Sequence, residues 1–237
     1  MVAASTSGLG LETARALGAA GCEVVVSGRD PDRLAVAAEA VPNAHPVRGD
    51  VSTVEGAQRF VADALGALGG VDILVTNAGG PPPGDFASTP IEAYDAALQM
   101  NLVAMASMCK DTVPAMQARG WGRVVGITST SVRQPMPNLI LSNTARTGFT
   151  SFMKTLALEV AADGVTVNTV QPGLHLTPRV KEVYGGDVHE AAKALPAQTV
   201  GDARDFGQVT AFLCSEQAGY ITGVALPVDG GRYVGLQ

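Results

Sequence analysis

Met1-Val2-Ala3-Ala4-Ser5-Thr6-Ser7-Gly8-Leu9-Gly10, running directly into Leu11-Glu12-Thr13-Ala14-Arg15-Ala16-Leu17, is the stretch that decides the fold. Its first three residues read as the end of a strand, its glycine-rich middle as a tight loop, and the remainder as a helix. Phosphates bind in this context: glycine lets the backbone come close, and the helix N-terminus offers unpaired N–H groups and a partial positive charge. Thr6 and Ser7 add hydroxyl groups, so Thr6, Ser7, Gly8, Leu9 and Gly10 are candidate cofactor-binding residues. Taken alone, the loop reads equally as a turn capping an ordinary helix. The strand before it is about half of the usual five to six residues; either the natural start lies upstream or a short central strand is tolerated.

Outward from the loop, Val- and Ile-rich segments at Glu23 to Ser27, Asp72 to Thr76, Arg123 to Thr128 and Val165 to Val170 alternate with longer Ala-rich stretches of helical period. Short apolar runs separated by helices predict an α/β fold, a doubly wound parallel sheet with helices on both faces. The loops Gly79 to Gly84 and Pro135 to Asn138 follow strand carboxyl ends, the edge where open α/β sheets bind ligands.

A chain of 237 residues fits one domain spanning 1–237. Its formal net charge of -6 and pI of about 5.0 speak against a nucleic-acid partner and leave a small-molecule substrate as the expectation. Cys22, Cys109 and Cys214 offer neither a disulfide framework nor metal-ligand spacing. No run approaches the roughly 18 to 20 apolar residues of a spanning helix, and no signal peptide is read at the start, so no membrane partner and a cytoplasmic location are expected.

Five further landmarks follow the loop in order: Asp50-Val51, Asn77-Ala78-Gly79, Asn101, Asn168 with Pro172-Gly173, and Gly223 with Asp229-Gly230-Gly231. With them the chain resembles the short-chain dehydrogenases/reductases of the ketoacyl-reductase-like type over essentially its whole length. The resemblance implies a Rossmann-type dinucleotide-binding domain in which Asp50 and Val51 flank the adenine. Asn77, Ala78 and Gly79 would line the cofactor path, and Pro172, Gly173 and Thr177 would face the nicotinamide. It also implies a homo-oligomer, a dimer or tetramer, built partly through the helices containing Asn101 and Arg146; Leu102, Met105, Phe149 and Phe152 suit such a face or the core.

The active site of that family pairs an Asn and a Ser with a Tyr and a Lys one helical turn apart. Asn101 and Ser129 fit, but the serine-to-tyrosine step of about thirteen residues, counted from Ser129, ends on Ser142, with Arg146 at the lysine position. Ala3 and Ala4 stand where the family has Thr and its first Gly. A serine hydroxyl is too weak an acid to replace a phenol of pKa about 10, and Arg146 offers a permanent cation and a fork of donors but no transferable proton. Asn101, Ser129, Ser142 and Arg146 are therefore candidate catalytic residues of an atypical member, with Arg146 also a cofactor anchor.

Cofactor choice is read at Val24-Val25-Val26-Ser27-Gly28-Arg29. No carboxylate ends this strand to hold the ribose hydroxyls of NAD, whereas Arg29 suits the 2′-phosphate of NADP. NADP(H) is thus expected over NAD(H), with Asp30 either neutralising Arg29 or capping the next helix. His175 is the nearest substitute acid or base, or a loop histidine without that duty. Arg133, Gln134 and Arg179 are candidates to receive an anionic substrate, or solvated surface. Lys181 to Thr199 reads as a substrate flap with Tyr184 and His189 as contacts, or as a surface helix pair. The expected function is carbonyl reduction or alcohol oxidation with NADP(H); the alternative is a redox-inactive ligand-binding or regulatory module, or a non-redox catalyst in the same cleft.

Overall fold

The computed structural model describes residues 1–184 and 187–236, with the side chains of 182–184 set aside. Its strands are β1 (Val24–Gly28), β2 (Ala44–Arg48), β3 (Ile73–Thr76), β4 (Gly122–Ile127), β5 (Val165–Pro172) and β6 (Ala225–Val228). All pairings are parallel: β1 with β2, and β3-β4-β5-β6 in sequence. The short segment Met1 to Ala3 joins the two groups, because Val2 bridges both Val26 of β1 and Val75 of β3. Its backbone bonds run to Val25 and Val75 (Val2 N–H to Val25 O, 3.0 Å; Ala3 N–H to Val75 O, 3.0 Å). The chain thus moves outward to β1 and β2, then returns across this segment to β3, which places the topological switch point at the glycine-rich loop.

Helices cover both faces. On one lie α3 (Val54–Leu68), α5 (Ala104–Arg119) and α6 (Ile140–Val160), packed through Phe60, Met105, Met108, Phe149 and Met153. On the other lie α1 (Gly8–Ala19), α2 (Pro31–Ala40) and α9 (Ala203–Leu213), packed through Ala14, Leu17, Leu34, Phe206 and Leu213. Burial on both faces explains why the central strands are continuous apolar runs, and each large side chain so buried contributes about 1.5–3 kcal/mol. Met105 and Phe149 are fully buried, and Leu102 and Phe152 pack partly against the same core. Of the two places open to these residues, Met105 and Phe149 take the core.

Local chemistry sets the helix ends. Asp30 caps α2, accepting from Asp32 N–H (2.9 Å) and Arg33 N–H (3.0 Å) with Pro31 in the first turn. Gly69 and Gly120 end α3 and α5 in the left-handed region. The edge strands β2 and β6, each holding a proline (Pro46, Pro227), were not among the segments read from sequence. Between α4 (Ala93–Leu98) and α5, Gln99–Val103 forms a π turn, so Asn101 sits on a local bulge and not in a regular helix.

Candidate active site

The glycine-rich loop is held by the ends of β1 and β3. Ala4 N–H donates to Ser27 Oγ (2.9 Å), and Ala4 O accepts from Asn77 Nδ2 (3.1 Å). Ala4 has φ 46° and Gly8 φ 57°, so an alanine occupies a left-handed conformation that favours glycine. A side chain at Gly10 would lie 2.7 Å from both Ala4 O and Asn77 Nδ2. Gly10 accordingly does not line the cleft; it lets the loop close over Asn77. Ser7 stands at the N-cap of α1 with no side-chain bond, and no acidic residue occupies the first turn. The N–H groups there are left for an outside acceptor.

Above this loop a cleft of about 840 Å³ runs along the carboxyl edge of the sheet, within the usual range of small-molecule sites. At one end it is lined by Thr6, Ser7, Gly8, Leu9, Arg29, Asp50 and Val51. Arg29 lies 3.6 Å from Asp50 in an exposed pair. Although partial burial pushes the Asp50 carboxyl up, hydrogen bonds from Ser52 and the Arg29 guanidinium hold it below the usual range. Asp30 serves α2 as its cap, so the partner of Arg29 is Asp50. Arg33, in the first turn of α2, also lines this end; a second arginine four residues past Arg29 was the legible signal for it.

At the other end the lining includes Ala78, Gly79, Ser129, Ser142, Arg146, Pro172, Gly173, His175 and Thr177. Ser129 caps a short 3₁₀ turn, its Oγ accepting from Ser131 N–H (3.1 Å). Thr177 packs over Gly8, its methyl 3.4 Å from where a side chain would sit, and so links the two ends. Asn101 is buried behind the cleft and does not line it; Nδ2 donates to Gly79 O (2.9 Å) while Oδ1 has no partner among the described residues. It positions the Asn77 to Gly79 turn from beneath. Asn168 bonds Ile221 O (2.8 Å) and accepts from Val224 N–H (3.1 Å), tying β5 to the approach to β6.

Arg146 lies one turn beyond Ser142 on α6 and is 7% exposed. Its guanidinium donates to Ile127 O (3.0 Å), Ala78 O (3.3 Å) and Gly79 O (3.3 Å). Burial, with the nearby Arg179 cation, pulls its pKa down to about 10, so it stays charged at neutral pH. His175 is buried edge-on to Phe206 with ring centroids 5.1 Å apart, and among the described residues its Nδ1 has no hydrogen-bond partner. Burial lowers its pKa despite the opposing pull of Gly173, Asp202, Asp205 and Asp229.

Three expected contacts fall elsewhere. Arg133 faces a separate cavity beside α6 and β5, where it donates to Gln171 Oε1 (2.8 Å) and Ala225 O (2.6 Å) and stacks on Tyr233. This corrects its expected place in the cleft mouth; Gln134 is likewise absent from the described lining, whereas Arg179 belongs to it. Lys181 to Thr199 contains the end of α7 (Pro178–Tyr184) and α8 (Val188–Ala192), the latter seated on Leu174. His189 is exposed, and the side chain of Tyr184 lies outside the described residues. Arg232, Met100, Met136, Leu139, Pro178 and Val180 also line the cleft, and no local sequence signal marked them.

A ligand cleft along the carboxyl edge, at the switch point of a doubly wound parallel sheet and over an uncapped helix, defines a Rossmann-type α/β protein. The chain belongs to the short-chain dehydrogenase/reductase family. Residues 3–232 match the family described as enoyl-(acyl carrier protein) reductase. The chain is similar to dehydrogenase/reductase SDR family member 4 of Oryctolagus cuniculus, 38% identical over 98% of this chain and 92% of that one. Among solved structures it resembles a short chain dehydrogenase/reductase family protein (TM-score 0.89, 32% identity, 99% and 96% of the two chains). It also resembles the L-sorbose reductase of Gluconobacter frateurii solved with NADPH and L-sorbose (TM-score 0.90, 31% identity, 99% and 96%). Among the described residues no helix is long and apolar enough to cross a membrane.

Proposed function

We propose that the chain is an NADP(H)-dependent oxidoreductase that reduces a carbonyl or oxidises an alcohol on a small molecule, acting as one dinucleotide-binding domain. The observation that carries this reading is that one continuous cleft joins the glycine loop and Arg29 to Ser129, Ser142 and Arg146. A dinucleotide fits the donor set. The uncapped first turn of α1 and the hydroxyls of Thr6 and Ser7 suit a pyrophosphate. Arg29 and Arg33 suit a 2′-phosphate, Asp50 and Val51 flank the adenine side, and Asn77 to Gly79, Pro172, Gly173 and Thr177 border the nicotinamide side. Bound there, the cofactor supplies or accepts a hydride. Ser129 and Ser142 orient the substrate oxygen, Arg146 stabilises negative charge developing on it, and Asn101 fixes the turn beneath.

We propose further that this is an atypical member, with Ser142 and Arg146 in place of the tyrosine and lysine of its family. A missing general acid costs about 10²- to 10⁴-fold in rate, whereas positioning is worth roughly 7 to 11 kcal/mol. Slow turnover of an activated ketone follows. The test is NADPH consumption with a panel of ketones by the wild-type chain and Ser129→Ala, with thermal melting as the stability control. Steady turnover lost in the variant supports the reading; a wild-type chain that binds NADPH tightly and reduces nothing contradicts it. That second outcome favours a redox-inactive binding or regulatory module, a reading supported by Ser142 itself. We further propose that it works as a homo-oligomer, a dimer or tetramer, in the cytoplasm. Exposed Leu158, Phe212, Tyr220 and Val234 offer apolar surface for such contacts.

A further inference from the structure

Charge is distributed unevenly along the cleft. Its described lining carries the carboxylates Asp30 and Asp50, and both lie at the Arg29 end, one capping α2 and the other beside Arg29. Towards Ser142 the described lining carries Arg146 and no carboxylate. The partners of Arg146 are three neutral carbonyls. Carbonyl dipoles satisfy hydrogen bonds without cancelling a charge, so among the described residues no anion pairs with the buried cation. A guanidinium also has more N–H groups than these three bonds use.

Two further features point the same way. Among the described residues the Ser142 hydroxyl makes no hydrogen bond, although it faces the cleft one turn before Arg146. The 21-residue α6 begins at Ile140 without a side-chain cap and with no acidic residue in its first turn, so its positive dipole end adds to the same region. The ribose hydroxyls of a dinucleotide are neutral and leave the charge of Arg146 unmatched.

We propose that this end of the cleft is a carboxylate-binding subsite, and that the substrate is a small oxo acid or hydroxy acid whose carboxylate is held by Arg146 and the Ser142 hydroxyl. The reacting carbon next to it is inferred from the oxidoreductase reading, on which that part rests; the charge pairing is independent of it.

The test is calorimetric titration of the full chain, alone and with NADP⁺, using 2-oxobutanoate and its methyl ester. The acid is expected to bind roughly 10- to 100-fold more tightly than the ester, the range supplied by charge-assisted hydrogen bonds. Arg146→Met should erase the preference. If that variant does not fold, Arg146→Lys reports instead, with the preference reduced about threefold or more as a point charge replaces the fork. Equal binding of acid and ester by the wild type, or an unchanged preference in the folded variant, overturns the subsite. Acid-selective binding with no NADPH binding or turnover leaves the subsite standing and removes the oxidoreductase reading; equal turnover of acid and ester does the reverse.

Discussion

The two ends of the cleft handle positive charge in opposite ways. At the β1 end Arg29 is exposed, 3.6 Å from an exposed Asp50, an arrangement in which water screens the pair and its net worth is small. A phosphate arriving there can exchange with Asp50 at little cost. At the α6 end Arg146 is buried against carbonyls of β4 and of the Asn77 to Gly79 turn, so the cation is built into the wall. On the proposed reading the first end selects the ligand, whereas the second couples ligand binding to the integrity of the site.

Removing each cation separates these roles. Arg146→Met leaves three carbonyls without their donor and should cost about 3 kcal/mol or more of stability by urea unfolding, together with loss of nucleotide binding. A loss no larger than that of an exposed arginine would erase the contrast. Arg29→Ala should leave stability unchanged and weaken NADPH binding by about 1.5–3 kcal/mol, with NADH hardly affected. Equal losses for both nucleotides would mean that Arg29 does not select.

The loop between the two ends gives a smaller effect. Ala4 holds φ 46°, and Ala4→Gly should raise stability by about 1 kcal/mol, read as a melting temperature about 2–4 °C higher. The smallest effect is a pH slope. Burial holds His175 below its unfolded pKa, so the unfolded chain binds the extra proton first. Stability is then fully present above about 6.5 and falls as pH drops from there towards the folded value. His175→Gln should flatten that slope, whereas an unchanged slope would assign it to another group.

The central strands and the glycine loop were legible because burial on both faces writes continuous Val and Ile runs, and because Gly8 and Gly10 meet backbone constraints that few residues satisfy. The edge strands Ala44–Arg48 and Ala225–Val228 were not, since half-exposed segments with proline carry no such run. Ser129, Ser142 and Arg146 came together as their spacing implied. Arg133 did not, because the direction in which a loop side chain leaves the 3₁₀ turn is set by Gln171 and Tyr233, far along the chain. The π turn that carries Asn101 has no sequence mark either, and Asn101 is buried there outside the cleft lining.

The account rests on a phosphate-selective nucleotide site leading to a charged reaction end, and calorimetric titration of the purified chain with NADPH and, in parallel, NADH tests it most directly. The expected result is one NADPH bound per chain, at least about tenfold more tightly than NADH. Failure of both nucleotides to bind would contradict it, and would mean that Ala4 in its left-handed conformation has closed the loop to pyrophosphate.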